Sequence, residues 1–271
     1  MKLSELGELG LLAELERRGL IVGVEHDAAQ LSGGLVVTQD ALVEGIHFTL
    51  DRITFRDLGW RAAAVNLSDL AASGADPEAL VVTLAAPPDI DSDDVVELYA
   101  GIAETGVPVR GGDTTAAAQL FLSVAALGRA RRVPGRAGAL PGDLLVVTGE
   151  LGAAGAAFRA GGYVRPPLRL AEGKELARSA HALVDISDGI AVDAGHVARR
   201  SGVKCVIELD RVPLAPGATV DDLGFGEDFE LLAAVEEPGR FAVVGRVEAG
   251  GGVELLEHGA PRTLRGYEHY R

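Results

Sequence analysis

The chain has 271 residues, 48% of them apolar and 24% charged, the composition of a soluble globular protein long enough for one large α/β domain or two of about 130 residues each. A formal charge of -15 speaks against nucleic acid and anionic membrane as partners, since both require a basic footprint. Three lysines, Lys2, Lys174 and Lys204, leave any anionic substrate to be neutralised by metal ions or arginines, and the lone Cys205 allows neither an internal disulfide nor a zinc cluster.

Acids at Glu5 and Glu8 interrupt what would be the apolar core of an export signal, and no apolar run of about 18 residues reads as a membrane span, so the expected location is the cytoplasm. Residues 4–19 set Leu11, Leu12 and Leu15 at helical spacing and read as an amphipathic packing helix. Two apolar runs follow, 21–24 and 34–38, each expected to be a strand closing on an aspartate, Asp27 and Asp40.

Thr54-Phe55-Arg56-Asp57 is a helix start signal and Gly74 a stop, which predicts one helix over 55–73. At about 100° per residue, Trp60, Ala63, Leu67 and Leu70 share one side of it, while Ala62, Asn66, Asp69 and Ser73 share another. A solvated face usually carries long Lys, Glu and Arg side chains. A stripe of short polar residues instead marks a surface approached closely by something polar, and makes Asp69 a candidate for chemistry.

Further on, 80–88 reads as a strand, 92–105 as an acidic helix, 107–115 as a strand ending in Gly111, Gly112 and Asp113, and 120–129 as another strand. The Arg-, Gly- and Pro-rich stretch 131–142 has the composition of a linker, which divides the chain into 1–135 and 136–271. In the second part, strands are expected at 143–148, 182–186, 203–209 and 231–235, helices at 152–160, 168–180 and 189–200, and two or three short strands in the tail from 240. No internal repeat is visible.

Asp27, Asp40, Asp113, Asp185 and Asp188 thus stand at or near expected strand ends. One such aspartate is usually a cap or turn residue. Five in one crevice would repel one another unless divalent cations lay between them. Oxygen ligands without cysteine and with few histidines suit Mg²⁺, which shares its remaining positions with water and phosphate, so the residues point to a Mg²⁺-nucleotide site. Neither a Gly-x-x-x-x-Gly-Lys-Ser/Thr loop nor a Gly-x-Gly-x-x-Gly turn is present.

The run Asn66-Leu-Ser-Asp-Leu-Ala-Ala-Ser-Gly-Ala-Asp-Pro77, with Gly111-Gly-Asp-Thr-Thr115, Asp185-Ile-Ser-Asp-Gly189, Gly226-Glu-Asp-Phe-Glu-Leu231, Gly45-Ile-His-Phe48 and the ending Gly266-Tyr-Glu-His-Tyr270, resembles the thiamine-monophosphate kinase family of the aminoimidazole ribonucleotide synthetase-like superfamily. The resemblance runs from about Val22 onward. It implies a two-domain α/β (α+β) fold whose N-terminal sheet forms a homodimer interface, and ATP-dependent conversion of thiamine monophosphate to thiamine diphosphate with several Mg²⁺ ions. By motif position it assigns Asp27, Thr38, Gln39, Asp40, Asp69, Asp113, Asp185 and Asp188 to metal, Gly112, Asp113, Arg136 and Ser187 to ATP, and His47, Glu227 and Tyr267 to the thiamine substrate.

Two positions depart from the family pattern. His26 replaces an acid in Gly23-Val-Glu-His-Asp27, and Gln39 stands where the family has Thr. With no nucleophile-base pair in view, the expected chemistry is direct in-line phosphoryl transfer without a phosphoenzyme and without an acid-base residue. Two rival readings remain open: a related synthetase that activates an oxygen or a selenide with ATP, and a nucleotide-binding module that has lost catalysis.

Overall fold

The structure, a computed structural model, describes residues 2–22 and 26–267. Gly23 to Glu25 of the first acidic turn and Glu268 to Tyr270 of the closing motif lie outside the described residues. Among the described residues twelve strands form two mixed sheets. The first contains β1 (Ala29–Gln30), β2 (Leu35–Val43), β3 (Asp76–Ala86), β4 (Val109–Ala116) and β5 (Phe121–Arg129) in the order β1-β2-β5-β3-β4. Its pairs are antiparallel except β3 with β4.

The second sheet contains β6 (Leu144–Val147), β7 (Ala182–Asp185), β8 (Val203–Glu208), β9 (Leu231–Val235), β10 (Ala242–Ala249), β11 (Gly252–Glu257) and β12 (Ala260–Arg262), in the order β12-β11-β8-β10-β6-β9-β7. Only β8 and β11 pair in parallel there. The helices are α1 (Leu3–Arg17), α2 (Phe55–Ala72), α3 (Ser92–Ala103), α4 (Ala153–Arg159), α5 (Leu170–Leu176) and α6 (Ile190–Ser201). This is the mixed α/β (α+β) class that the sequence predicts. Among the described residues no helix is long and apolar enough to cross a membrane.

Helix α2 forms where its signals put it. The Thr54 hydroxyl accepts the Asp57 N–H at 3.1 Å, and Gly74, with φ +63°, ends the helix as its N–H turns back to the Ala71 carbonyl. Thirteen of its residues are buried, because it lies against β2, β3 and β5 of the first sheet and also against α5, β7 and β9. Small residues permit that crowding. A Cβ on Gly59 would stand 1.8 Å from the Leu98 carbonyl oxygen of α3, so the two helices meet at backbone distance.

Ala71 and Ala72 join Leu176, Leu183, Leu231 and Ala233 in one buried apolar cluster, so α2 belongs to the cores of both sheets. On α1 the expectation of a plain packing helix needs amending. The helix is broken at Gly7 (φ 69°, ψ 174°), and beyond the break Glu8, Leu11 and Leu12 face the central cavity.

Candidate active site

Strand β2 alternates strictly, with Val36, Thr38 and Leu42 buried toward α2 and Gln39 and Ala41 exposed on the opposite face. Asp40 therefore shares the α2 side with Thr38. Asn66 of α2 secures that register: its Oδ1 accepts the Asp40 N–H at 3.0 Å while its amide donates to the Ala62 carbonyl at 3.0 Å. One turn further along, Asp69 accepts the Thr38 hydroxyl. Ser68 donates to the Asp185 carboxylate at 2.7 Å, tying α2 to the last residue of β7. The stripe of short polar residues is thus a buried seam that fixes acids from three elements. Asn66→Ala strips the acceptor from a part-buried N–H and should cost about 1–3 kcal/mol in urea unfolding, with a further loss of activity because Asp40 is no longer held.

These acids open onto a cavity of about 1030 Å³. Its wall includes Asp27, Thr38, Gln39, Asp40, Asp69, Arg136, Asp185, Ser187 and Asp188, and also His47, Glu227 and Tyr267, so twelve of the sequence-predicted site residues meet around one space. Gln39 reaches it without its side chain, which donates to Ser123 Oγ at 2.9 Å on the other face of the sheet. Gly112 and Asp113 do not line the cavity. They lie on the exposed edge strand β4, three strands from β2, or roughly 14 Å at the usual spacing.

The expectation of acid-tipped strands is also corrected. Asp40 and Asp113 sit within β2 and β4, Asp27 lies in the turn before β1, and Asp185 alone closes a strand. The sheets are mostly antiparallel, so no common row of carboxyl ends exists; the acids converge from a sheet face, a helix and a loop instead.

Burial, reinforced by the neighbouring Glu227 and Asp27, pushes the Asp40 carboxyl up to about 6. Burial raises Asp185 to about 8, with Asp27 adding and the Ser68 hydroxyl opposing. Asp69 is held well above the carboxylate range by burial and by Asp40 and Asp185. Among the described residues two arginines line the cavity, and both are engaged: Arg136 grips Asp27 Oδ1 at 2.7 Å, and Arg61 pairs with Glu227 Oε2 at 2.6 Å. Among the described residues neither arginine is hydrogen-bonded to Asp40, Asp69 or Asp185, although the Arg136 charge bears on Asp185. His26 stays out of the wall, its Nδ1 buried and unbonded where it packs on Gly135.

Substrate-side residues come from turns. The His47 Nδ1 accepts the Val43 N–H at 3.0 Å, which fixes a tautomer carrying its proton on Nε2. Glu227 and Phe229 adopt left-handed φ of 62° and 51° in the loop before β9. Gly226 makes that loop possible, since a Cβ there would lie 2.3 Å from the Ser187 carbonyl oxygen, and the Glu227 N–H bonds that same oxygen at 2.8 Å. The backbone of Asp188 is held on two sides, its N–H on Asp193 at 3.1 Å and its carbonyl accepting the Tyr267 N–H at 3.0 Å.

Residues 25–130 match the family described as AIR synthase related protein, N-terminal domain. Over their whole lengths the chain and the thiamine-monophosphate kinase of Aquifex aeolicus are 31% identical, and that of Salmonella typhimurium is 32% identical over 97% of this chain and 98% of its own. The chain belongs to the thiamine-monophosphate kinase family. Among solved structures, AaThiL complexed with AMPPCP and TMP superposes with a TM-score of 0.90 at 31% identity, covering 99% of each chain.

Several residues of this kinase escape a sequence reading. Ser68 and Asp193 hold Asp185 and Asp188, and Arg61, Phe158, Tyr163 and Phe225 form much of the wall beside Glu227. A signal existed for Arg61: it is the one long charged side chain between Trp60 and Asp69 in a helix otherwise built of small and apolar residues.

One buried acid lies beside the site without facing it. Asp228 accepts the Gly152 N–H at 2.9 Å, yet burial lifts its carboxyl to about 6 from 3.8. A raised folded value favours the protonated form, so this stabilisation is complete below pH 3.8 and disappears as pH rises through about 6. Across that window the kinase should lose about 3 kcal/mol of unfolding free energy relative to Asp228→Asn, a slope that urea titrations of the pair at several pH values would reveal.

Proposed function

We propose that the chain transfers the γ-phosphoryl group of ATP directly to the terminal phosphate of thiamine monophosphate, giving thiamine diphosphate and ADP, in the cytoplasm and as a homodimer. The observation that carries the reading is the convergence of Asp27, Asp40, Asp69, Asp185 and Asp188 on one cavity whose arginines are already paired. A site for two phosphate-bearing molecules cannot work with that charge unbalanced, and an all-oxygen donor set with raised proton affinity fits Mg²⁺. When bound, Mg²⁺ supplies neutralisation of phosphate charge along the transfer path.

The protein's own part is positioning. Thr38, Asp40, Asp69, Asp185 and Asp188 would hold the ions, with Ser68, Asn66 and Asp193 keeping three of those acids in place. On this reading Arg136, bonded to Asp27 in the free protein, would turn to an ATP phosphate and free Asp27 as a ligand. In the transfer, the bond from the γ-phosphorus to the bridging oxygen of ADP breaks as one forms to an oxygen of the acceptor phosphate. That oxygen is already ionised, so no general base is required. Purified protein supplied with ATP, Mg²⁺ and thiamine monophosphate should yield thiamine diphosphate and ADP; absence of product while ATP binds would overturn the substrate assignment.

The homodimer reading rests on the free face of the first sheet. There Val81, Ala41 and all of β4 from Arg110 to Ala116 are exposed, and Gly112 and Asp113 are too far from their own cavity to serve it. A second copy on that face would bring Asp113 to the partner's nucleotide, with residues 1–135 as the dimerising unit and 136–271 completing each cavity. Asp69→Asn and Asp113→Ala chains, each inactive alone, should then regain about one quarter of the parental activity after mixed refolding, because half the dimers are hybrids with one intact site of two. No recovery in a mixture shown to contain hybrids would confine Asp113 to its own chain.

A further inference from the structure

Residues 160–169 join α4 to α5 without forming helix or strand, so side-chain anchors rather than a backbone ladder decide where they lie. Tyr163, Val164 and Pro166 line the cavity. Arg165 is turned the other way. Its Nε donates to Asp57 Oδ1, in the first turn of α2, at 2.6 Å, and it pairs with Glu104 at the end of α3. Its guanidinium lies 5.1 Å from the centre of the Trp60 ring, and the Trp60 indole N–H donates to the Pro166 carbonyl at 3.0 Å. Trp60 is thus held by two successive residues of the segment.

The consequence reaches the cavity because the segment is stiff. Pro166 and Pro167 fix their own φ angles, and a following proline keeps Arg165 extended, so an anchor at 165 carries over to 163 and 164. Tyr163 and Leu168 also pack on the core under the first sheet, which seats the segment on the layer of α2. Tyr163 lies near enough to Glu227 for that charge to bear on its phenol. The segment is therefore a wall that borders the Glu227 side of the cavity while its position is set from outside. Arg56 provides a contrast in the same charge network: it pairs with Glu97 at 2.9 Å and with Glu104 at 2.5 Å, joining α2 to α3.

We propose that Arg165, which lines no part of the cavity, is a positioning residue for the acceptor: with Trp60 it holds residues 163–166 in place and so sets the affinity for thiamine monophosphate. The inference rests on the proposed function, to which it adds a determinant outside the site. A wall that meets the acceptor alike in the ground and transition states governs binding rather than the rate of transfer.

Steady-state kinetics of the parent would be compared with those of Arg165→Met, Arg165→Lys, Arg56→Met and Trp60→Phe. Arg165→Met should raise KM for thiamine monophosphate about tenfold, while kcat falls less than about threefold and KM for ATP changes less than about twofold. Arg165→Lys keeps the charge but not the fork or the flat stack on Trp60, and should recover only part of the affinity. Arg56→Met breaks two ion pairs of the network and should leave both KM values within about twofold, which separates positioning from general loosening of α2 and α3. Trp60 is the one tryptophan of the chain, so its emission reports on the segment directly. Saturating thiamine monophosphate should change that emission in the parent, and Arg165→Met should need about tenfold more of it for half the change. The proposal is overturned by unchanged KM in Arg165→Met, by equal rises in KM for ATP and acceptor, by an Arg56→Met as impaired as Arg165→Met, or by parental emission that ignores the acceptor. Should Arg165→Met fail to fold, Trp60→Phe, which keeps a ring but loses the bond to Pro166, decides by the same comparison, with an expected rise of about threefold in KM for the acceptor alone. A parent enzyme that does not phosphorylate thiamine monophosphate at all removes the proposed function itself, a result visible before any variant is made.

Discussion

Asp69→Asn is expected to lower kcat by at least about a thousandfold, the scale of losing one preorganised electrostatic group, while the protein stays folded. The substitution keeps the shape of the side chain and still offers an oxygen to the Thr38 hydroxyl, so the seam between β2 and α2 survives. What disappears is the charge at the point where Asp40 and Asp185 both press on it. Burial beside Asp40 and Asp185 makes the ionised form of Asp69 costly in the folded protein, a cost that Asn does not carry, so the midpoint of thermal unfolding should be unchanged or higher. Retention of more than about a tenth of the parental rate would remove Asp69 from the machinery.

Arg169→Ala should cost about 3–5 kcal/mol in unfolding free energy, since it leaves a buried carboxylate without its counter-ion. Glu230 is 3% exposed and takes Arg169 by both oxygens, Nε to Oε2 at 2.6 Å and Nη2 to Oε1 at 2.5 Å. The Thr148 hydroxyl donates to the same carboxylate at 2.6 Å and in turn accepts the Leu231 N–H at 2.8 Å, so the pair anchors the start of β9 to the end of β6. Replacing both members, as Arg169→Met with Glu230→Leu, should return most of the lost stability, because the uncompensated charge is what costs. Activity should stay low in the double variant. Glu230 ends the loop that carries Glu227, and an apolar residue there cannot restore its anchoring. Urea midpoints with an unchanged m value would confirm that stability alone had moved.

Much of the site is legible in the residues because its acids belong to short local patterns. The span of α2 follows from Thr54 and Gly74, and the short polar stripe on it does mark a surface that meets other polar groups. What the pattern cannot supply is partnership across the chain. Ser68 meets Asp185 over 117 positions and Arg169 meets Glu230 over 61, and nothing near either residue announces the contact.

Asp40 illustrates a different limit. Its apolar run looks finished at the aspartate, but β2 continues to Val43 because nine residues pair with β5 and the polar side chain falls on a face that α2 has made polar too. Asp113 marks the third limit, since its motif is recognisable while the cavity it serves is not fixed by one chain. His26 differs again. The loss of an acid is plain in the sequence, whereas its retreat from the cavity wall onto Gly135 depends on a glycine more than a hundred positions away.

Helix α2 also sets how the cavity can be filled and emptied. It touches α3 through Gly59, and α5 through Gly173, where a Cβ would stand 2.1 Å from the Ala71 carbonyl oxygen; its end is sealed into the cluster with Leu183 and Leu231. Contacts made at backbone distance have no slack, so swinging the two sheets apart would have to break the contact with α5 and the buried cluster rather than stretch them. Clamshell opening is therefore closed to this fold. The rate at which substrates and products exchange then becomes a property of the side chains that line the cavity rather than of the frame behind them.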